Sequence, residues 1–255
     1  AAFFGIGAMV ARTLWFSGMP FALSFAAGGL AAVLFGLCIG APTFRLRGAY
    51  FSIATLGMAE VLRIFVSQRF PLISSMPGGM IATYDPAARY YLALGLAAAS
   101  MLTAYALMRS HRILGMFALR DDELAAGTTG VDIFGSKMSA LALSSLFAGL
   151  CGSLFAFQQI SYYPAAPFGA AWSFDALLIA FVGGLGSLPG PLIGAIFYVL
   201  VRQQMAANLL DVHQVLFGIL FILIVLALPG GLLDAWRPVR TLLGRLGLGR
   251  TRSVR

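Results

Sequence analysis

RSHRILGMFALRDDELAAGTTGVDIFGSK, from Arg109 to Lys137, is the only long polar interval in a chain that is otherwise apolar almost from end to end. It carries acids and bases together, and its centre has the pattern of a short helix built to dock. Asp121 or Asp122 is placed to cap the start, Glu123 stands in the first turn where the helix dipole favours a negative charge, and Gly127 and Gly130 offer left-handed stops. On pattern alone this interval is either a handle gripped by another protein or a solvated loop between two membrane helices.

What surrounds the handle fixes the solvent. Hydrophobic residues make up 60% of the sequence and charged residues 10%, against roughly 25% charged in a water-soluble domain. The chain belongs in a bilayer. Its net charge of +8 comes from arginines clustered between apolar runs, which is a topology signal and not the basic stripe of a nucleic-acid binder. Cys38 and Cys151 both lie inside apolar runs, so no disulfide framework is expected, and each reads as a small packing residue. No cleavable signal precedes the first segment, and a chain that opens on Ala1 within an apolar run reads as cut off.

Upstream of the handle, residues 1–16 form a helix-length apolar stretch broken by Arg12, and residues 20–41 form a span of about the 20 residues that cross a bilayer core. Pro20 suits its first turn, and Gly36 and Gly40 give the spacing that lets a neighbouring helix approach. Arg45 and Arg47 mark the next loop as cytoplasmic. The following span, residues 49–66, carries Glu60 and Arg63 three residues apart; they must pair or face the bundle interior, as a pathway or gating pair or as a structural ion pair. Residues 67–89, with Pro71, Pro77, Gly78, Gly79 and Pro86, are too broken for a span and should lie outside, and residues 90–108 cross back to the handle.

Downstream, residues 138–160 form a clear span with Gly149 and Gly152 as close-contact points, and residues 161–173 an outer loop with Tyr162, Tyr163 and Trp172 suited to the membrane interface. The run from Phe174 to Ala207 is long enough for one tilted helix, yet Gly183, Gly184, Gly186, Pro189, Gly190 and Pro191 interrupt it. Charge parity bears on this. Arg109, Arg112, Arg120 and Lys137 hold the handle in the cytoplasm, and Arg237, Arg240, Arg245, Arg250, Arg252 and Arg255 hold the tail there. With a last span at about residues 213–228, the broken run must turn back, as two short passes or a re-entrant hairpin. Irregular backbone at membrane depth needs protein or a water-filled cavity around it, which places the hinge inside the bundle. Gly186, Gly190 and Gly194 recur every fourth residue and would give one bare face. No Lys-Ser/Thr pair follows these glycines, so a phosphate loop is a weak reading.

Five motifs in order carry a family resemblance: AAFFGIGA at residues 1–8, FRLRGAYFSIATLGMAEVLR at 44–63, the handle, FVGGLGSLPGPLIGA at 181–195 and LPGGL at 228–232. The chain resembles bacterial ABC permeases of the branched-chain amino acid type, and most closely their second, M-type, subunit. The resemblance implies an all-α polytopic membrane bundle of about eight segments, similar to the ribose and vitamin B12 permeases. It implies a single permease domain over residues 1–236, with a cytoplasmic coupling loop at 109–137 and a broken helical hairpin at 174–207, followed by a basic cytoplasmic tail at 237–255. The implied partners are a second permease subunit, two cytoplasmic ATPases that bind ATP and Mg, an external substrate-binding protein and membrane lipid, with no cofactor on this chain and no nucleic acid. Glu123, Ala125, Ala126 and Gly130 match the E-x-A-A-x-x-x-G pattern of the loop that docks on the ATPase. The implied location is the bacterial inner membrane, multi-pass, with the C-terminus in the cytoplasm.

The family usually carries one or two helices before the first motif, and without them a groove would stay unfilled. The outer loop, where relatives often show Thr-Gly-Gly, reads Ser75, Met76, Pro77, Gly78, Gly79, Met80. Catalysis is not expected: His111 and His213 have no metal spacing or nucleophile partner, and the aspartates are scattered. Alternating access is the mechanism implied, with Glu60, Arg63, Gly183, Gly184, Gly186 and Gly190 as path or hinge candidates. A secondary transporter working through Glu60 and Arg63, a scaffold without transport, and a urea or aromatic-acid permease of the same family are the alternatives.

Overall fold

A computed structural model describes residues 1–44, 49–70, 74–78, 84–110, 112–184, 186–208 and 218. The expected loop arginines Arg45 and Arg47, both histidines, Gly79 and Met80, and the last span, LPGGL motif and basic tail lie outside these residues. The chain divides into two units, Ala1–Trp172 and Ser173–Arg255.

The first unit is built of helices. In chain order they are α1 (Ala2–Phe16), α2 (Phe21–Thr43), α3 (Ala49–Arg69), α4 (Pro86–Met108), α5 (Arg112–Asp121), α6 (Glu123–Thr128) and α7 (Ile133–Gln158). Four of them, α2, α3, α4 and α7, are long and apolar enough to cross a membrane. Pro20 caps α2 from outside its first turn. Arg89, expected in a loop, stands in α4, whose start is set by Pro86 and by Asp85 accepting a hydrogen bond from the Ala87 amide at 2.9 Å.

Burial is inverted relative to a water-soluble protein. The closed core holds Ala8, Ala32, Ala156, Ser24, Ser145 and Ser153, while Leu23, Leu30 and Leu34 stand 60, 59 and 64% exposed. Small residues let helix backbones approach, and large apolar ones meet lipid or a partner, as membrane packing requires. The seam is explicit. A Cβ on Gly7 would lie 2.6 Å from the Gly149 Cα, and one on Gly152 would lie 2.7 Å from the Phe4 carbonyl carbon. Ser153 Oγ donates across this seam to Gly7 O at 3.2 Å.

α2 runs antiparallel to α7: Gly28 faces Ser153, Gly36 faces Ser145 and Gly40 faces Leu141. The Gly36/Gly40 spacing thus serves α7. The cysteines correct the packing expectation, since Cys38 and Cys151 both sit on exposed helix faces.

At the far end of α7 a short ribbon ties the loops together. β1 (Ser74–Ser75) pairs antiparallel with β2 (Ser161–Tyr162), Ser74 opposite Tyr162. A 3-10 turn, Ala166–Phe168, then plugs the bundle: Phe168 is fully buried, and its ring occupies the space a side chain on Gly5 would need. Trp172 stacks on Phe4 at 4.9 Å between centroids.

Within the second unit, the end of α8 (Ala170–Gly183) and α9 (Gly190–Asn208) form a helical hairpin. Gly184 and Gly186 take φ of +102 and +98° in its turn, a backbone that L side chains adopt only with strain. Gly194 packs on Gly183, where a Cβ would meet the Gly183 Cα at 3.0 Å, and Asp175 meets Arg202 at 3.4 Å farther along. Gly186 therefore belongs to the turn, and the bare face is made by Gly183, Gly190 and Gly194. α8 has 14 residues, about 21 Å at helical rise, short of a bilayer core of roughly 30 Å.

Candidate functional site

The handle folds as two helices where the sequence suggested one. α5 ends at Asp121, and Asp122 starts α6, its carboxylate accepting from the Ala125 amide at 3.1 Å. Glu123 follows in the first turn of α6 and pairs with Lys137 at 2.6 Å, which pins the handle to the first turns of α7. Ala126 is buried and Ala125 exposed. Gly127 lies inside α6, so only Gly130 is a left-handed stop, at φ +85°.

Gly130 closes a tight exit. Its amide donates to Gly127 O and the next amide, Val131, reaches back to Ala126 O, both at 3.3 Å. That pair of bonds on a left-handed glycine satisfies carbonyls that the helix end would otherwise leave open. One residue later Asp132 caps α7, accepting from Gly135 N at 3.0 Å. The turns from the end of α5 to the start of α7 are thus each set by a side chain or glycine within a few residues, which is why that part of the sequence was readable.

Glu60 and Arg63 pair with each other on α3, Arg63 Nε lying 3.0 and 2.9 Å from the two carboxylate oxygens. Their side chains are 44 and 45% exposed, so the pair rides on an open face of this chain. It is not packed into the described bundle. Gly183, Gly184, Gly186 and Gly190 gather at the α8/α9 turn. The handle sits at one end of α4 and α7, between the last residue of one and the first of the other.

The opposite end holds what the sequence reading missed. Arg12, 3% exposed, spends both terminal nitrogens on backbone carbonyls. Nη1 donates to Ala156 O at 2.9 Å and Gln159 O at 3.0 Å, and Nη2 to Ser74 O at 2.8 Å and Ile160 O at 3.3 Å. The Phe16, Tyr162 and Trp15 rings surround its guanidinium at 4.3, 5.4 and 5.7 Å. Arg89, 5% exposed, donates to Phe157 O and lies 3.6 Å from the Tyr84 ring centroid.

The physical cause is the helix end. The last carbonyls of α7 have no intrahelical partner, they carry the negative end of the dipole, and here they are enclosed by protein. Two cations supply donors and charge at once. The arrangement is incomplete in one respect: Arg12 Nε and the Tyr162 hydroxyl are buried without a hydrogen-bond partner. An unmet buried polar group costs about 1–3 kcal/mol. Burial also pushes the Tyr162 phenol up from its ordinary range, keeping it a donor.

Comparison with known proteins places the chain in a family. The family described as "Branched-chain amino acid transport system / permease component" matches residues 1–225. The chain is 31% identical to the high-affinity branched-chain amino acid transport system permease protein LivM of Escherichia coli K12 and 30% identical to that of Salmonella typhimurium LT2. Each alignment covers 92% of this chain and 63% of the relative, so the chain spans less than two thirds of those proteins. A probable branched-chain amino acid transport permease protein LivM of Methanocaldococcus jannaschii is 24% identical over 83% of this chain and 68% of its own length. No solved structure gives a significant match.

Proposed function

The chain belongs to the permease-component family of branched-chain amino acid transport systems, and from that membership we propose that it is a transmembrane subunit of an ABC importer. It forms, with a second permease subunit, the path for branched-chain amino acids or a related small solute in the bacterial inner membrane. The bundle has about eight segments, the handle and C-terminus face the cytoplasm, and an external binding protein delivers the ligand at the arginine end. ATP hydrolysis by two partner ATPases supplies the work, and this chain performs no covalent chemistry.

The observation that carries this reading is the handle's construction at one end of two long membrane helices. α5 and α6 sit directly between α4 and α7, with Asp122, Gly130 and Asp132 setting the turns after α5 and the Glu123–Lys137 pair fixing the exit. A rigid, charged lever joined to two spans transmits a push where a slack loop would absorb it. Asp121, Asp122, Glu123, Ala125, Ala126 and Gly130 are its docking residues.

The test separates docking from internal pairing. Glu123→Lys combined with Lys137→Glu preserves an internal pair and reverses the charges presented. The expected result is normal membrane insertion with loss of both ATPase co-purification and uptake. Full uptake by the double variant would remove the docking role. Uptake that survives ATP depletion but stops with a protonophore would replace the ABC reading by a proton-coupled one.

A further inference from the structure

We infer that the cleft between α1 and the end of α3 holds an anionic phospholipid, with its phosphate on Arg69 and part of an acyl chain between the two helices. The inference needs only the membrane placement of the chain and is independent of what is transported and of what drives it. The cleft has a volume of about 400 Å³ and is lined by α1, the end of α3, the β1/β2 ribbon and Pro164. That is within the range of small-molecule sites, roughly 300–1,000 Å³.

Its depth in the bilayer follows from helix length. The apolar span of α3, Tyr50–Arg69, has 20 residues, which at helical rise is about 30 Å, the thickness of a hydrocarbon core. Arg69, the last residue of the span, therefore stands at the headgroup level. Ser74, just past it, accepts a hydrogen bond from Arg12 near the end of α1, so both helices end on the same side. On α1 the lining runs from Phe16, the last helical residue, back to Met9, roughly 10 Å of helix. The cleft thus reaches from the headgroups into the acyl-chain region.

Its chemistry divides in the same way. Met9, Phe16, Phe70 and Pro164 make apolar walls, and Thr13 spends its hydroxyl on Met9 O and Val10 O, both at 3.0 Å. Arg12 has its terminal nitrogens on carbonyls, and its Nε, like the Tyr162 hydroxyl, is enclosed by protein, so neither residue offers the cleft a free donor. Arg69 differs: it is exposed, has no ion pair among the described residues, and shares the lining with no acid. Phe65, one turn earlier on the same face of α3, is 61% exposed, and Phe70 is 41% exposed, so the mouth lies on a lipid-facing side. A small water-soluble anion would leave the walls unfilled, and an uncharged apolar molecule would leave the cation unanswered. An anionic phospholipid brings a phosphate for Arg69 and a chain for the walls in one molecule, at the level where both are needed.

The experiment takes the full chain from nanodiscs of phosphatidylcholine with phosphatidylglycerol into detergent and identifies retained lipid by native mass spectrometry. Wild type is expected to keep phosphatidylglycerol in preference to phosphatidylcholine. Arg69→Gln should weaken that retention about fivefold, and Arg69→Lys should preserve it. Thr13→Trp places a ring in the cleft from an exposed position and should abolish retention at an unchanged lipid-free melting temperature. Equal retention of the two lipids by wild type, or wild-type retention in both Arg69→Gln and Thr13→Trp, overturns the site. Displacement of the lipid by inorganic phosphate or glycerol 3-phosphate also overturns it, in favour of a soluble-anion site. So does a lipid-free dimer in the spectrum that Thr13→Trp dissociates, which would make the cleft an interface between copies of this chain. No uptake is measured, so failure here leaves the transport reading standing.

Discussion

Arg12 and Arg89 close the same helix end from different helices: Arg12 Nη1 donates to Ala156 O at 2.9 Å, and Arg89 Nη1 to the next carbonyl, Phe157 O. Each also faces aromatic rings, Phe16 for one and Tyr84 for the other. A cation in an apolar segment is costly unless its donors and charge are answered, and here the carbonyls at the α7 terminus do so. The arrangement joins α1, α4, α7 and the ribbon at one end of the bundle.

Replacing Arg12 by Lys keeps the charge and loses the fork. One ammonium has three donors on a flexible stem and cannot reproduce a planar guanidinium spread over four carbonyls. The expected loss of stability is about 2–4 kcal/mol, read from unfolding in detergent micelles. A loss below about 0.5 kcal/mol, the range of an ordinary surface change, would show that the clasp contributes nothing.

Two glycine-to-alanine changes should move stability in opposite directions. In Gly152→Ala the new methyl meets Phe4 backbone, which cannot give way, and overpacking of this kind costs roughly 1–3 kcal/mol. Gly95→Ala on α4 meets nothing within 4 Å and should gain about 0.5–1 kcal/mol from helix propensity alone. Melting temperatures of the two variants in the same detergent decide it; a tolerated Gly152→Ala would contradict the close seam.

Within the handle, Gly130→Ala forces a side chain into φ +85°, a strain of about 1–2 kcal/mol. Gly127→Ala places a methyl 3.1 Å from the mobile Cδ1 of Ile133 inside a helix and should be neutral or mildly stabilising. Proteolysis at the handle is expected to accelerate only in the first variant. Equal rates in the two would argue against the left-handed exit.

The Glu60–Arg63 pair is predicted to be structural. With both side chains nearly half exposed and bonded to each other, neutralising them together removes one ion pair and strands no partner. Glu60→Gln with Arg63→Gln should retain ATP-dependent uptake, whereas either single change leaves an unanswered charge and lowers the amount inserted. Abolished uptake at normal insertion in the double variant would restore the pair to the transport path.

The sequence by itself determined the solvent, the long apolar helices, the glycine break between α8 and α9, and the handle's caps. Each of these depends on composition or on residues a few positions apart: Asp122 with Ala125, Gly130 with Gly127, Gly184 and Gly186 in one turn. Only the tertiary structure decided that Arg12, read along the chain as a break in an apolar run, is buried and bonded to carbonyls 144 and more residues away. Backbone carbonyls carry no residue identity, so nothing in the letters at Ala156, Gln159 or Ile160 announces an acceptor. That pairing exists because folding encloses a helix end that water or lipid could not satisfy in the same way.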